Sequence, residues 1–173
     1  MIKIVDSINQ LRFSELMDVY SEGNLENGKE RYPNLPEDAQ IRESESDFYN
    51  YLKDYFFPIR GAFYALWEVD HLYAAALRME PYKDGWLLSA LETAPDQRRR
   101  GYAGDLICEV IHYVSKFERT KIYSHVSKRN IASIATHEKC GFHIEKDYAV
   151  YLDGSVLRSS YTLVYDMQKS ETF

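Results

Sequence analysis

Apolar side chains recur every three or four residues in four parts of the chain, and this spacing predicts helices. We expect them over residues 8–20, 42–57, about 106–114, and 130–139. Asp6 or Ser7 would cap the first helix, because short oxygen-bearing side chains accept the unpaired N–H groups of a first turn. The glycines and prolines of residues 21–40 predict that this stretch is mostly loop.

Short apolar or alternating stretches between these helices are typical of strands. They are predicted over residues 2–5, 62–69, 72–79, 86–93 and 122–126, with a closing hairpin formed by 142–152 and 157–167. Asp70-His71 and Asp153-Gly154 are the predicted tight turns. Helices and strands therefore alternate, which predicts a single α/β domain of the α+β type with a mixed sheet over residues 1–173.

Candidate chemistry is concentrated in residues 91–104, where a strand runs into a glycine turn that opens a helix. The first N–H groups of a helix are unpaired, and the helix dipole places partial positive charge there. Gly101 lets a ligand approach the backbone without meeting a Cβ atom. Arg98, Arg99 and Arg100 add three cations at the same place. This combination predicts a site for a phosphate or pyrophosphate.

Three neighbouring arginines can also be an ordinary solvated charge run. Two observations favour the anion site. The cluster opposes the overall balance of a chain whose formal net charge is −6, and it lies at a strand-to-helix junction, where an anion also gains from the helix dipole.

Two segments resemble a known family. Arg98-x-x-Gly101-x-Ala103 is similar to the Arg/Gln-x-x-Gly-x-Gly/Ala signature of the GNAT superfamily of acyl-CoA-dependent N-acyltransferases. Residues 130–142, Asn-Ile-Ala-Ser-Ile-Ala-Thr-His-Glu-Lys-Cys-Gly-Phe, resemble that family's Asn-x-x-Ala/Ser…Tyr-x-Lys-x-Gly-Phe segment. With the strands around them the two motifs cover residues 85–151. The resemblance implies a central mixed, mostly antiparallel sheet of about six to seven strands, flanked by about four helices.

The resemblance also implies how acetyl-CoA would be bound. The pantetheine arm would pair with the edge of the strand at Leu91, Glu92 and Thr93, and the pyrophosphate would lie on the turn and first helical residues. Asn130 would bond the pantetheine or the adjacent backbone. The implied cofactor-binding residues are Leu91, Glu92, Thr93, Arg98, Arg99, Arg100, Gly101, Tyr102, Ala103, Gly104, Asn130 and His137.

The implied reaction is direct attack of a primary amine on the acetyl thioester. His137 stands where the family commonly has a tyrosine that protonates the departing thiolate, and it is the candidate acid. Alternatively, His137 only packs and orients the helix, or Tyr148 or Tyr151 replaces it. Glu92 is the candidate base, because a carboxylate beside apolar neighbours can have a raised pKa. A structural or substrate-orienting Glu92, and His125 as base, remain alternatives.

Composition sets the remaining expectations. A chain of 173 residues fits one domain with a proper core. Its acidic balance argues against nonspecific nucleic-acid binding, and no apolar run is long enough to span a membrane. Two cysteines without metal-type spacing predict buried, reduced thiols in a cytoplasmic protein and no metal site. The partners would be acetyl-CoA and an amine acceptor, with a homodimer as a state that is frequent in the family.

The acceptor itself is not specified by the sequence. The helices within residues 8–57 would shape its cleft, with aromatic walls from Tyr20, Tyr32, Phe48, Tyr49, Tyr51 and Tyr55. Residues 1–60 carry most of the negative charge, which would suit a cationic acceptor or be simple solvated surface. Two other functions stay open. One is a catalytically weak acyl-CoA sensor, and the other is a nucleotide- or phosphate-binding protein that uses the arginine turn differently.

Overall fold

The computed structural model describes residues 1–117 and 121–167, and five α-helices and nine strands lie within them. The helices are α1 (Phe13–Val19), α2 (Ser21–Arg31), α3 (Glu37–Tyr51), α4 (Tyr102–Val114) and α5 (Ile131–Lys139). The strands are β1 (Ile2–Val5), β2 (Phe63–Val69), β3 (Leu72–Tyr82), β4 (Gly85–Thr93), β5 (Lys121–Ser127), β6 (His143–Lys146), β7 (Ala149–Val150), β8 (Val156–Leu157) and β9 (Ser160–Asp166).

Seven strands form one sheet in the order β1-β2-β3-β4-β5-β9-β6, and β7 pairs with β8 separately. Every pair in the large sheet is antiparallel except β4 with β5. The predicted mixed, mostly antiparallel sheet of a single α/β domain is therefore confirmed. The Asp70-His71 turn is confirmed as well, since both residues have positive φ, 48° and 66°, as a two-residue hairpin of the primed type requires.

The sheet separates two apolar cores. On one face, α4 packs Leu106, Ile107, Val110 and Val114 against the sheet. On the other face, α1 and the π-helical turn Leu52–Phe56 that follows α3 pack against a second set of sheet residues. Strand β3 shows the division most clearly, because Ala75, Leu77 and Met79 belong to the α4 face. The alternation of strand side chains therefore turns Ala76, which belongs to the second core, and with it Arg78 and Glu80, to the α1/α3 face.

The parallel pair β4/β5 is short. It joins Trp86, Leu87 and Leu88 to Ile122, Tyr123 and Ser124. Beyond it, the register between β3 and β4 shifts between Ala76 and Arg78, and Ala90 takes a positive φ of 51°. Such a bulge bends a strand and re-aims its end. Pairing of β4 with β5 ends at Leu88 and Ser124, and we call the unpaired stretch beyond these residues the gap between β4 and β5.

The prediction that residues 21–40 are mostly loop is wrong, because α2 fills Ser21–Arg31 and α3 already begins at Glu37. Gly28 was a misleading loop signal. A Cβ atom built on it would lie 2.6 Å from the backbone oxygen of Gln40, so the glycine permits α2 and α3 to pack closely. Pro36 lies at the N-cap position of α3, where the missing N–H costs nothing.

Two other predicted elements are divided in the structure. The helix expected over residues 8–20 is a 3-10 turn, Ile8–Gln10, followed by α1. The closing hairpin is divided into β6, the small β7/β8 pair around Asp153-Gly154, and β9. Within residues 1–117 and 121–167, no helix is both long enough and apolar enough to cross a membrane.

Candidate active site

A cavity of about 810 Å³ lies where β4 ends, between the first turns of α4 and α5. Its size is within the range of small-molecule and cofactor sites. Ten of the twelve residues predicted to bind the cofactor line it: Leu91, Glu92, Thr93, Arg98, Arg99, Gly101, Tyr102, Ala103, Gly104 and Asn130. Six more lining residues were not among the predicted set: Gln97, Ala132, Ser133, Thr136, Lys139 and Cys140.

The turn before α4 and the first residues of that helix line this cavity. Gly101 is the N-cap of α4 with φ +88°, a left-handed conformation that only glycine adopts without cost. The N–H groups of the first helical turn have no partner inside the helix. Arg98 and Arg99 add cations beside them. Arg100 does not line the cavity, and its Nη2 donates instead to the backbone oxygen of Asp96 at 3.4 Å.

Arg98 is held by two carboxylates. Its Nη2 lies 2.7 Å from Oε2 of Glu22 on α2 and 3.3 Å from Oε1 of Glu92 on β4. The hydrogen-bonded ion pair with Glu22 makes the largest contribution to the raised pKa of Arg98. The guanidinium therefore connects the pyrophosphate-type turn to α2 and to the strand that borders the cavity.

The start of α5 forms the opposite wall. Asn130 caps this helix, its Oδ1 accepting the N–H of Ser133 at 3.0 Å, and the residue lines the cavity. The helices α4 and α5 approach closely at Gly104, where an added Cβ would lie 3.9 Å from Sγ of Cys140. Small side chains therefore keep this part of the cavity open.

The profile of the acetyltransferase (GNAT) family matches residues 28–142, about two thirds of the chain. The chain belongs to the GNAT acetyltransferase family. Searching the curated proteins finds no match.

Solved structures support the GNAT fold over nearly the whole chain. A spermidine N-acetyltransferase from Vibrio cholerae, in complex with CoA and spermine, is 16% identical with a TM-score of 0.63, covering 99% of this chain and 98% of its own. A PaiA N-acetyltransferase from Thermoplasma acidophilum, in complex with coenzyme A, is 17% identical with a TM-score of 0.62, covering 96% and 99%. A GNAT-family acetyltransferase from Bacillus anthracis is 14% identical with a TM-score of 0.64, covering 96% and 95%.

His137, which takes the place of the GNAT tyrosine, lies inside the protein and does not line the cavity. Its side chain is 1% exposed, and its ring meets that of Phe142 edge-on at 5.1 Å. Nδ1 lies 2.8 Å from the backbone oxygen of Ser133. Since a carbonyl oxygen only accepts, Nδ1 carries the proton and Nε2 the lone pair. Burial also lowers the pKa of His137, so the ring is neutral and has no proton directed to the cavity.

Glu92 lines the cavity but is engaged. Its Oε1 accepts the N–H of Thr93 at 3.1 Å and contacts Arg98 at 3.3 Å. Its side chain is 41% exposed. This placement suits a residue that orients Arg98 better than it suits a base.

Arg78 belongs to a row of polar residues on the α1/α3 face, and sequence reasoning missed it. Arg78 lies opposite Ser89 in the β3–β4 register, next to the bulged Ala90. The Tyr20 hydroxyl donates to the backbone oxygen of Ala90 at 2.6 Å. The available signal was the alternation within β3, where Arg78 and Glu80 interrupt an otherwise apolar strand.

His125 continues this row across the gap between β4 and β5. Its ring is flanked edge-on by Tyr82 at 5.8 Å and Tyr151 at 5.3 Å. The Nε2 atom is buried and has no hydrogen-bond partner among the described residues. Burial, with a smaller contribution from the charge of Lys83, lowers the pKa of His125. The imidazole is therefore neutral near pH 7 and able to accept a proton.

The cysteines depart in part from the prediction of two buried thiols. Cys108 is exposed and Cys140 is half-buried. Their sulfur atoms are 3.8 Å apart, well beyond the length of a disulfide bond, so both are free. In the part of the chain that the structure describes, no cluster of three or more His, Cys, Asp or Glu residues is arranged to hold a metal ion.

Proposed function

We propose that this GNAT protein transfers the acetyl group of acetyl-CoA to a primary amine by direct attack on the thioester. The observation that carries the proposal is the cavity of about 810 Å³ at the end of β4, walled by the first turns of α4 and α5. It combines free helix N–H groups, two arginines and an open strand edge, which suit a pyrophosphate attached to an extended amide chain.

Each part of the cavity has a separate role in this proposal. The turn from Arg98 to Gly101 and the N–H groups of α4 bind the pyrophosphate. The edge of β4 at Leu91 and Thr93 pairs with the pantetheine amides. Asn130 donates its side-chain amide to the same arm. The small residues Ala103 and Gly104 leave room for the ligand to approach the helix.

Acetyl-CoA supplies an activated acetyl thioester, and the residues of the α1/α3 face supply the rest of the chemistry. During transfer a C–N bond forms, the C–S bond breaks and the amine loses one proton. Backbone N–H groups at the β4 bulge near Ala90 polarise the thioester carbonyl. The gap between β4 and β5 connects the cofactor cavity to the face on which the amine is bound.

We assign the base to His125 in preference to Glu92. His125 is neutral at physiological pH, its Nε2 faces no other described partner, and it borders the gap. Glu92 is occupied by Arg98. Because His137 is buried and its Nδ1–H donates to the backbone oxygen of Ser133, we propose that the thiolate takes its proton from solvent. His137 then has a structural role.

Thermal denaturation with and without acetyl-CoA tests the cofactor site. At about 100 times Kd, the ligand should add roughly 2.7 kcal/mol of stability, or about 5–10 °C for a domain of this size. The Arg98→Ala, Gly101→Asp double variant should lose the shift. No shift of the wild type at millimolar acetyl-CoA would refute the proposal.

Turnover on a panel of primary amines separates an enzyme from a sensor of acyl-CoA. The release of free CoA and the mass of the acetylated product are both measured, so simple thioester hydrolysis is not counted. His125→Gln should lower kcat by about 10²–10⁴-fold with the acetyl-CoA shift unchanged. Binding of acetyl-CoA without turnover of any amine would favour the sensor.

A further inference from the structure

Arg78 carries a positive charge for which the described part of the chain provides no salt bridge. Its Cζ atom lies 5.0 Å from the ring centre of Tyr51, 5.4 Å from that of Phe56 and 6.0 Å from that of Phe48. Nε and Nη1 are buried and have no hydrogen-bond partner among the described residues. The aromatic faces stabilise the cation and fix the plane of the guanidinium.

The neighbouring oxygens do not compensate this charge. Tyr20 and Tyr64 are buried phenols, and burial raises the pKa of Tyr64 to about 12, so both are neutral at physiological pH. Glu80 is on the same face of β3; burial raises the pKa of its carboxyl, while the charge of Arg78 lowers it, and the two side chains form no ion pair. Within residues 1–117 and 121–167, no carboxylate lies within ion-pair distance of Arg78. A cation whose nitrogen atoms are buried without a hydrogen-bond partner is costly, which is the usual mark of a group kept for a ligand.

The position of Arg78 connects it to the proposed reaction. It is paired in register with Ser89 and is one residue away from the bulge at Ala90. Tyr20, which bonds to the oxygen of Ala90, also lies close enough to Arg78 to feel its charge. The cation is therefore next to the point where an attacking amine would be placed.

The acidic residues of the N-terminal helices do not make the surroundings of Arg78 negatively charged. Asp38 and Asp47 are paired with Arg42 at 2.9 Å and with Arg31 at 2.8 Å. Glu22 is paired with Arg98 at 2.7 Å. A polycation would meet Arg78 at the reaction centre and would be repelled, whereas a carboxylate would gain a charge-assisted hydrogen bond there.

We infer that Arg78 binds a carboxylate of the acceptor, so that the acceptor is a small amino acid-type molecule bearing both an amine and a carboxylate. This inference rests on the proposed N-acetyltransferase function and specifies its substrate class. The guanidinium would fix the carboxylate, and the amine beside it would point towards Ala90 and His125. Arg78 is thus a specificity-determining residue.

The test compares free amino acids with their own α-carboxamides, which keep the amine and side chain but lose the negative charge. For the wild type, kcat/KM for the acids should exceed that for the amides at least about tenfold, as for other hydrogen bonds to charged groups. Arg78→Met should reduce this ratio to about one, and Arg78→Lys should keep part of it. Arg42→Met, which removes an exposed arginine of α3, should leave the ratio unchanged.

Two further measurements make each outcome decisive. The first is the Kd of the same acids and amides for the CoA-saturated protein by calorimetry, which requires no turnover. The second is the Tm of Arg78→Met, which should equal or exceed that of the wild type, since an apolar side chain replaces an unpaired buried charge. A lower Tm with an unchanged acid-to-amide ratio would make Arg78 structural.

The results also separate this inference from the function on which it rests. An acetyl-CoA shift with equal use of acids and amides, or a preference for spermidine, would overturn the role of Arg78 and leave the acetyltransferase intact. Absence of the acetyl-CoA shift would overturn both. If neither acids nor amides bind to the CoA-saturated protein, the assignment of the substrate class is wrong.

Discussion

Arg98 and Glu22 form an ion pair at the mouth of the cavity, with Nη2 of Arg98 2.7 Å from Oε2 of Glu22. The pair ties α2 to the turn that precedes α4. Since the same guanidinium is proposed to bind a phosphate, Glu22 competes with the cofactor for it. Both side chains are substantially exposed, 39% and 58%, so the pair is weak and can exchange.

Removing the charge of Glu22 should therefore strengthen cofactor binding. For Glu22→Gln, we expect the Kd of CoA to fall by up to about fivefold, which corresponds to a surface ion pair worth at most about 1 kcal/mol. Calorimetry at low salt measures it. Glu37→Gln, which breaks the exposed pair with Lys29 at 3.2 Å, makes the same charge change without an effect on Kd. Weaker binding by Glu22→Gln would mean that Glu22 positions Arg98.

Gly101 gives a second prediction. Its backbone is in the left-handed conformation, and the space beside its Cα atom is open. A Cβ atom there would meet no atom within 4 Å, and φ is +88°. Gly101→Ala should cost about 1–2 kcal/mol of stability from backbone strain alone, and the added methyl group should weaken CoA binding by more than the strain explains. Thermal melts and CoA titrations measure the two effects.

Gly154 provides the matched control for that variant. Its φ is +83° and its Cβ position is equally open, but it belongs to the turn between β7 and β8. Gly154→Ala should lower Tm about as much as Gly101→Ala does, and CoA should bind it as tightly as the wild type. If both variants bind CoA normally, Gly101 is needed for the turn and not for the pyrophosphate.

Sequence reasoning identified the wall of the cavity well, because glycine turns and helix starts are local. Residues 91–104 depend on a strand, a turn and a first helical turn, all encoded within a few positions. The direction in which a helical side chain points is not determined by the neighbouring residues in the sequence. His137 and Thr136 are adjacent on α5, yet Thr136 faces the cavity and His137 faces Phe142. The packing of α5 on the sheet decides this, and the motif does not contain it.

The errors in the fold have a related origin. Gly28 was interpreted as a loop residue. A glycine is needed there because α2 approaches the backbone of Gln40, twelve positions further along the chain, too closely for a side chain. The importance of Arg78 depends on rings from α3 and the turn after it, which tertiary packing brings together. Alternation in β3 was nevertheless visible, and a cation among apolar strand residues could have been noted as an exception.

His137 should contribute to stability in a pH-dependent way. Burial lowers its pKa below the ordinary value of about 6.5, so the unfolded chain binds more protons on acidification. The stability due to neutral His137 is present above about pH 6.5 and is lost as pH falls below it. When the pH falls from about 7.5 to about 5.5, the Tm of His137→Leu should therefore rise relative to the Tm of the wild type.

Two comparisons separate this structural role from acid catalysis. His112→Gln replaces an exposed histidine and serves as the matched surface control for a histidine substitution. The kcat of His137→Leu, measured well below its Tm, should stay within about threefold of the wild type, whereas loss of a general acid would cost about 10²–10⁴-fold. A loss of that size with a normal Tm would restore His137 as the acid.

The two thiols should react at very different rates. Burial, and secondarily the neighbouring Cys108, raises the pKa of Cys140 to about 12, so its thiolate fraction at pH 8 is on the order of 10⁻⁴. Cys108 is exposed. Iodoacetamide should therefore add one label per chain quickly, on Cys108, as intact mass and peptide mapping would show. Cys108→Ser should remain almost unlabelled over the same time. Because Cys140 lines the cavity, saturating CoA should slow its labelling further. Equal labelling rates at the two thiols would contradict the packing of α4 against α5.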